Sequence, residues 1–582
     1  MEREQQEYTS WCRQELSEEL RYQLLEIKEN AEEIYDRFCR GLTFGTSGMR
    51  GRMGVGTCRM NPVVVRRATL GIADYVSGRY AQPAIVISYD TRLHSEEFAR
   101  VTAETLAERG IDSWIMSEPQ PVPLLSFAVR SMGLAGGIMI TASHNPREYN
   151  GYKVYDHFGN QIDDEKARRI EACIESHGYF EKAESKAHSR GRIRMVPQDI
   201  IEDYRRNISD RAVWWQADVS ECRKVMEKLS VIYTPLNGTG LSHVTEILSR
   251  LGIKDLDVVE CQKEGDGRFA TCPSPNPENR KAFAEAEKLA EKRIAEGRKP
   301  ADLLLATDPD SDRMGAMVRV GSGYILLSGN QAGELIFDYL CDAAGGPEGK
   351  NLKNRVVYKS LVSSPLADRI GQVRGVTVEN TLTGFKNIAL KMEQLRQAGR
   401  EEDFLFGFEE SHGYLYGTYT RDKDGVMACQ LLCLAAGCCM KDNMTLMEKL
   451  DQLHETYGYM ETRAGALHFQ REKDRKVMAE IMEELFAGSL QTVFGHSVEM
   501  DRTYEKESVF QGTVKTTGSS DEDGRCRQHR FVIRPSGTEL KLKSYVFAEG
   551  RDQEEASEAA DAILKELTAW LNMKKEEKTQ YE

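Results

Sequence analysis

The sequence lacks any apolar stretch that approaches the ~20 residues of a membrane-spanning helix. Where a signal peptide would need an apolar segment, the N-terminus has Glu2, Arg3 and Glu4. Basic residues are in deficit, since 78 Lys and Arg face 92 Asp and Glu, for a net charge of −14. Such a charge repels polyanions at long range. These features predict a cytoplasmic protein that binds neither nucleic acid nor membranes.

Paired metal-binding cysteines and nucleotide-binding glycine motifs are also missing. The 13 cysteines are an odd number and include no C-x-x-C pair, so neither a disulfide framework nor a zinc cluster is expected. The chain contains no P-loop and no G-x-G-x-x-G fingerprint. A nucleotide cofactor therefore has no support from the sequence.

What the chain does have is length and a repeated pattern. At roughly 150 residues per domain, its 582 residues predict about four domains. Short β-branched runs are followed by polar loops and amphipathic helices, which is typical of α/β layers. We place the domains at residues 1–207, 208–321, 322–457 and 458–582, the first with an N-terminal helical cap and the last of α+β type. Ligands of α/β sheets bind at the carboxyl ends of strands, so the functional residues are expected in the loops that follow the strands.

The strongest acidic feature is a triplet of carboxylates, Asp308, Asp310 and Asp312, directly after the apolar run 303–306. Alternate spacing lets all three face one point, and converging oxygen ligands suit Mg²⁺ or Mn²⁺. An EF-hand is excluded because it needs Gly at its sixth and Glu at its twelfth position, where this chain has Arg313 and Arg319. The alternative is a solvated acidic turn.

Three further loops carry polar groups that suit the binding or transfer of a phosphorylated sugar. Ser143 follows the apolar run 137–141, in a loop that Asn145-Pro146 forces to turn. The loop 407–413 offers acceptors and a hydroxyl suited to sugar hydroxyls, although it could equally be a plain turn. The segment 534–538 offers an arginine, two hydroxyls and a glycine, which suits a phosphate cradle, with a β-hairpin loop as the alternative.

In order and spacing, these four motifs resemble those of the α-D-phosphohexomutase superfamily. The resemblance extends from residues 44–51 to the last cradle, and the loops 383–386 and 421–425 are most similar to the phosphoglucomutase/phosphopentomutase branch. It implies three related α/β domains with mixed sheets plus a C-terminal α+β domain around a central cleft, one motif loop coming from each. The four motifs are Thr141–Pro146, Asp308–Arg313, Gly407–Ser411 and Arg534–Thr538.

The resemblance also implies a role for individual residues. Ser143 would be a phosphoserine, and its phosphate would share one Mg²⁺ with the acidic triplet. Where several relatives have Gly-His after the serine of the sugar loop, this chain has His412-Gly413, so His412 is given no role. The metal ligands would be Ser143, Asp308, Asp310 and Asp312, the catalytic residues Ser143, Arg50, Lys153 and Arg313, and the substrate-binding residues Glu409, Ser411, Lys386, Arg534, Ser536, Gly537 and Thr538.

The implied activity is that of a phosphoglucomutase, an intramolecular phosphotransferase that interconverts glucose 1-phosphate and glucose 6-phosphate. Glucose 1,6-bisphosphate would be both its intermediate and its activator. The alternatives are a phosphopentomutase acting on ribose or deoxyribose phosphates, a phosphomannomutase, a metal-dependent phosphatase and a non-catalytic sugar-phosphate sensor. The partner would be a small phosphosugar, and the sequence leaves the oligomeric state open.

Overall fold

A computed structural model describes residues 2–45, 48–181, 190–345, 352–469, 474–516, 527–536 and 540–579. The chain divides into two compact units. The first comprises Met1–Leu361 with Val376–Leu446, and the second Val362–Gly375 with Met447–Glu582. This coarse division does not test the four predicted boundaries, which stay a prediction.

Three short helices open the first unit, and side-chain caps begin two of them. Ser17 accepts the N–H of Leu20, and Asn30 accepts the N–H of Glu33. Trp11 is fully buried and packs edge-on against Phe38, so the helices enclose a small core. They are α1 (Glu2–Cys12), α2 (Glu18–Glu26) and α3 (Ala31–Phe38).

The first sheet has six strands in the order β1-β5-β4-β2-β3-β6. Strands β4, β2, β3 and β6 run parallel, whereas β5 is antiparallel to both β4 and β1. All side chains of β4 are buried, as expected for a central strand covered on both faces. The strands are β1 (Gly48–Arg52), β2 (Ala84–Tyr89), β3 (Asp112–Ile115), β4 (Gly136–Ile140), β5 (Tyr149–Asp156) and β6 (Ile193–Met195).

Two more mixed sheets follow, with strand orders β11-β10-β9-β7-β8 and β13-β12-β14-β15. The second sheet consists of β7 (Ser230–Thr234), β8 (Asp255–Val258), β9 (Leu303–Thr307), β10 (Met314–Val320) and β11 (Gly323–Leu326). The third consists of β12 (Val356–Ser360), β13 (Thr377–Thr381), β14 (Phe404–Glu409) and β15 (Gly413–Tyr416).

The three sheets repeat one unit of four strands. In each unit the first strand lies between the second and the third and is parallel to both. The fourth strand follows the third along the chain through a turn and pairs with it antiparallel. The turns that close these hairpins are β4–β5, β9–β10 and β14–β15. They hold, respectively, Ser143, the aspartate triplet and the end of the predicted sugar loop, so one repeated turn carries three of the four predicted motifs.

Helices cover the sheets of the first unit and complete the second. Among the described residues no single helix is long and apolar enough to cross a membrane. Two helices that meet at a sharp bend, Gly425–Lys441 and Leu446–Tyr457, reach that length and composition only when they are taken together. The helices are α4 (Pro62–Ser77), α5 (Ser95–Glu108), α6 (Val122–Ser131), α7 (Asp164–Glu175), α8 (Gln198–Asp210), α9 (Val219–Met226), α10 (Leu241–Leu251), α11 (Ala284–Ala295), α12 (Gly329–Gly345), α13 (Leu366–Arg374), α14 (Phe385–Gln397), α15 (Gly425–Lys441), α16 (Leu446–Tyr457), α17 (Asp474–Phe486) and α18 (Gln553–Thr579).

The second unit is built on an antiparallel sheet of order β16-β22-β21-β20-β19, with a separate two-stranded hairpin of β17 and β18. Its core includes Phe531, Val546 and Ile563, all fully buried. The predicted fold class, three α/β domains with mixed sheets and a C-terminal α+β domain, is thereby confirmed. The strands are β16 (Tyr459–His468), β17 (Thr492–Val493), β18 (His496–Ser497), β19 (Glu499–Asp501), β20 (Phe510–Thr516), β21 (Arg527–Pro535) and β22 (Lys541–Gly550).

Candidate active site

Ser143 lies in the turn that joins β4 to β5, buried to 3% exposure. Its hydroxyl donates to Oδ2 of Asp308 at 2.7 Å, and its N–H donates to the hydroxyl of Thr141 at 2.8 Å. Its φ of 52° is left-handed, a conformation that costs a residue with a Cβ about 1–2 kcal/mol. The surrounding contacts hold this conformation, which aims the hydroxyl at the aspartate triplet.

One residue of positive φ recurs in each of the three hairpin turns. Ser143, Ser311 and His412 have φ values of 52°, 52° and 64°. His412 is buried, and its Nδ1 lies 3.2 Å from the carbonyl oxygen of Met314. His412 thus resembles Ser143 in being the residue of positive φ in the turn after the third strand of its four-strand unit.

The three aspartates converge as their spacing predicts. One oxygen of each of Asp308, Asp310 and Asp312 lies within 4.8 Å of the others, and all three residues are buried. Oδ1 of Asp310 and Oδ1 of Asp312 have no hydrogen-bond partner among the described residues. Burial, and then the charges of the other two carboxylates, raise the pKa of Asp308 well above its usual value. Crowded carboxylate oxygens with unused lone pairs fit a hard divalent cation such as Mg²⁺ or Mn²⁺.

Lys153 reaches this cluster from β5. Its Nζ lies 2.9 Å from Oδ2 of Asp310 and 3.4 Å from Oδ2 of Asp312. Burial alone would lower the pKa of Lys153, but these two carboxylates raise it overall. The residue is therefore a charged ammonium between two of the candidate ligands.

Lys423 makes a second contact of this kind and was not among the predicted site residues. Its Nζ lies 2.7 Å from Oδ2 of Asp312. Asp424, the next residue, caps α15 by accepting the N–H groups of Val426 and Met427, which fixes Lys423 at the start of a buried helix. Burial alone would raise the pKa of Asp312, but Lys423 and then Lys153 lower it overall.

Two arginines flank the cluster. Arg50, on β1, donates from Nη1 to Oδ1 of Asn145 at 2.9 Å, which brings it to the Ser143 turn. Arg313 donates its backbone N–H to Oδ1 of Asp308 at 3.0 Å, and its guanidinium forms an ion pair with Glu278. Glu278 was also missed, because it lies 35 residues before its partner in a polar segment without a motif.

The predicted sugar-binding residues are found in two places. Glu409 is buried at the end of β14, its Oε1 accepting the N–H of Gly384 at 2.8 Å. Burial, reinforced by Glu410, raises the pKa of Glu409 to about 7. Ser411 lies in the following turn. Lys386, near the start of α14, pairs with Asp164 of the first domain at 2.6 Å.

The fourth motif belongs to the second unit. The Arg534 guanidinium lies 5.6 Å from the ring centre of Tyr545 and donates to its hydroxyl at 3.1 Å. The N–H of Ser536 donates to the carbonyl oxygen of Lys541 at 2.9 Å. Gly537 and Thr538 lie outside the described residues, so the cradle as a whole stays a prediction.

Family models match three stretches of the chain. Residues 41–180, 203–321 and 328–457 match phosphoglucomutase/phosphomannomutase α/β/α domains I, II and III respectively. The matched ranges contain, in turn, Ser143, the aspartate triplet and Glu409 with Ser411. Each of these motifs therefore falls in its own family domain.

Whole-chain comparisons agree with the family models. The chain is 32% identical over 533 residues to the phosphoglucomutase of Staphylococcus aureus strain MRSA252, covering 90% of this chain and 92% of that protein. Two solved structures share its fold. A phosphoglucomutase/phosphomannomutase family protein of Burkholderia thailandensis has a TM-score of 0.63 at 18% identity, covering 90% and 97% of the two chains. The phosphoglucomutase pp63/parafusin of Paramecium has a TM-score of 0.63 at 16% identity, covering 92% and 95%.

The triplet generates a direct prediction about metal affinity. Asp310→Asn removes one of three converging charges, so it should weaken Mn²⁺ binding by at least roughly 100-fold, the upper end of what losing an outer-shell partner costs. Because the raised pKa of Asp308 lets a proton compete with the cation, affinity should also fall as the pH is lowered. Titration calorimetry measures both effects. Asp199→Asn, which changes an exposed aspartate, is the control, and equal affinities of the two variants would contradict the assignment.

Proposed function

Because the chain belongs to the phosphoglucomutase/phosphomannomutase family, we propose that it is a phosphoglucomutase that interconverts glucose 1-phosphate and glucose 6-phosphate. The observation that carries the proposal is the buried Ser143 hydroxyl, 2.7 Å from the aspartate triplet of another domain. A serine held in this way is suited to carry a phosphoryl group beside a metal-binding cluster.

The candidate metal ligands are Asp308, Asp310 and Asp312, joined by an oxygen of phosphorylated Ser143. Mg²⁺ bound there would neutralise charge that develops on the transferring phosphoryl group. The protein's own contribution begins with the turn, which holds the Ser143 oxygen in place before the reaction. Arg50 and Lys153 lie on neighbouring strands next to this turn and are the cations that would stabilise charge on the reacting oxygens.

The reaction we propose moves one phosphoryl group twice. First, the bond between phosphorus and Oγ of Ser143 breaks while the oxygen of the 6-hydroxyl of glucose 1-phosphate bonds to phosphorus. The 6-hydroxyl loses its proton, and Oγ of Ser143 takes up a proton to become a hydroxyl again. The product, glucose 1,6-bisphosphate, then returns its 1-phosphoryl group to Oγ of Ser143, leaving glucose 6-phosphate. Free glucose 1,6-bisphosphate would act as activator by phosphorylating Ser143 in enzyme that has lost its phosphate.

Both ends of the sugar must be bound in turn by the same groups. We assign the sugar hydroxyls to Glu409 and Ser411, with Lys386 exchanging its ion pair with Asp164 for the substrate. The phosphate that does not react is assigned to the predicted cradle of Arg534, Ser536, Gly537 and Thr538. A central cleft enclosing these groups and a cytoplasmic location remain predictions.

Ser143→Ala tests the proposal, because it removes the only atom that could carry the phosphoryl group in this scheme. We expect turnover of glucose 1-phosphate to fall by roughly four orders of magnitude or more, as for other covalent nucleophiles. Peptide mass spectrometry should locate the phosphate of the purified wild-type protein at Ser143. Ser131→Ala, at the exposed serine that ends α6, is the control and should keep full activity.

A panel of 1-phosphates in the same assay separates the alternatives. With Mg²⁺ and activator fixed, kcat/KM should be higher for glucose than for mannose, ribose or deoxyribose 1-phosphate. A higher value for a pentose would make the protein a phosphopentomutase. Full activity of Ser143→Ala, or phosphate only on another serine, would reject the mechanism.

Glu409 generates a prediction about pH. Sugar hydroxyls donate to a carboxylate, and the pKa of Glu409 is about 7, so kcat/KM should fall as the pH drops through 7, by up to about tenfold per unit. In Glu409→Gln this acidic limb should disappear, leaving only the ionisation of the substrate phosphate. Glu402→Gln, at an exposed glutamate, is the control. If both variants kept the wild-type profile, Glu409 would not bind substrate as a carboxylate.

A further inference from the structure

Arg92 is a buried cation that neither the motifs nor the proposed mechanism assigns. It follows β2 in the first domain, and its side chain is completely buried. An arginine so placed needs partners for five N–H groups. Those partners show what the residue does.

Four backbone carbonyls of the Ser143 turn accept from this one guanidinium. Nη1 donates to the oxygens of Pro146 at 3.0 Å and Tyr149 at 3.1 Å. Nη2 donates to the oxygen of Asn145 at 2.5 Å and to that of Ser143 itself. The turn from β4 to β5 therefore surrounds the planar guanidinium of Arg92, and these hydrogen bonds fix the backbone of the turn.

Asp90 holds the other side of the arginine and ties it to the N–H of the nucleophile. Oδ2 of Asp90 lies 3.3 Å from Nε of Arg92 and accepts the hydroxyl of Thr141 at 2.6 Å. Thr141 in turn accepts the N–H of Ser143 at 2.8 Å. Arg92 thus binds the C=O of Ser143 directly, and Asp90 holds the N–H of Ser143 through Thr141.

The second domain contacts the same pair from the opposite side. The Arg92 guanidinium lies 5.1 Å from the ring centre of Phe269, and Arg92 forms a β-bridge with Gly267. A Cβ on Gly267 would come within 2.7 Å of the Arg92 carbonyl carbon, so the approach requires glycine. The hydroxyl of Thr91 donates to the carbonyl oxygen of Asn237 at 2.7 Å. The aspartate triplet belongs to this second domain, so Arg92 links the Ser143 turn to the domain that carries the triplet.

We propose that Arg92 is a positioning residue that keeps Oγ of Ser143 next to the aspartate triplet. We propose also that Phe269, from the second domain, fixes the position of Arg92. The inference rests on the proposed function for its kinetic consequences. Its structural content, that the guanidinium holds the turn, does not depend on which reaction Ser143 performs.

Arg92→Lys is the primary test, since lysine keeps the charge but cannot bind four carbonyls from one planar group. Misplacing a nucleophile by about 1 Å can cost roughly 100-fold, so kcat and the rate of Ser143 phosphorylation by glucose 1,6-bisphosphate should fall by about that factor. KM for glucose 1-phosphate and the affinity for Mn²⁺ should not change, because Arg92 does not hydrogen-bond Glu409 or the triplet and lysine keeps the positive charge near Asp310 and Asp308. Methylguanidinium added to Arg92→Ala, at concentrations that do not denature, should restore part of the lost rate.

Arg293→Lys is the matched control. Arg293 is equally buried and pairs with Asp255 and Asp257 of the second domain, away from the Ser143 turn. It should lower thermal stability without changing the rate of Ser143 phosphorylation. If Arg92→Lys does not fold, Phe269→Leu, which removes only the stacked ring, takes its place and should slow phosphorylation in the same sense.

Hydrogen exchange of the full-length, unphosphorylated protein separates this inference from the proposed function. Arg92→Lys should speed amide exchange in residues 141–149 relative to wild type, and Arg293→Lys should not. Unchanged exchange there, or an unchanged phosphorylation rate in folded Arg92→Lys or Phe269→Leu, would overturn the inference. A wild-type protein that glucose 1,6-bisphosphate does not phosphorylate at Ser143 would reject the proposed function, while the exchange result would still decide the role of Arg92.

Discussion

Three carboxylates buried within 4.8 Å of one another are the constraint on which the site depends. Removing even one ion from water costs several kcal/mol, and like charges in contact add to this cost. The chain offsets it by bringing Lys153 from the first domain and Lys423 from the third onto aspartates of the second. Oδ1 of Asp310 and Oδ1 of Asp312, which have no hydrogen-bond partner among the described residues, are the oxygens that a divalent cation would satisfy. Charge balance therefore requires all three α/β domains to meet at this cluster.

A hairpin turn that recurs in each of the three α/β domains carries the groups that come together at this cluster. Each α/β domain ends its third strand in a turn with one residue of positive φ, and these residues are Ser143, Ser311 and His412. The same place in each domain thus carries the predicted phosphoserine, the candidate metal ligands and the end of the predicted sugar loop. Backbones approach closely there: a Cβ on Gly151 would lie 2.4 Å from the carbonyl oxygen of Thr141. The three turns have the same place in the fold unit but differ in length and in side chains, so one fold unit carries three different sets of polar groups.

Features encoded by neighbouring residues were predictable from the sequence, and features created by distant contacts were not. An apolar strand followed by alternate aspartates predicts a rigid acidic cluster. The α/β layers and the α+β last quarter follow from the strand, loop and helix pattern, whereas the three related domains with mixed sheets were implied by the family resemblance. Lys423, however, contacts Asp312 across 111 residues, and between Asp422 and Asp424 it looks like part of a solvated charged turn. Arg92 binds the Ser143 carbonyl across 51 residues, in a segment whose only signal is an Asp-Thr-Arg run after a strand. The contacts of Lys423 and Arg92 depend on which loops come together in the folded protein, and a local sequence pattern does not predict this.

The central claim is that Ser143 and the three aspartates form a single site across two domains. Electron-nuclear double resonance of the Mn²⁺-loaded, Ser143-phosphorylated protein measures this directly, through hyperfine coupling between the manganese and the phosphorus. The account predicts the strong coupling of a phosphate bound directly to the metal, lost when Asp308→Asn removes the residue that contacts Ser143. Bound Mn²⁺ without phosphorus coupling, in protein whose Ser143 is phosphorylated, would contradict it.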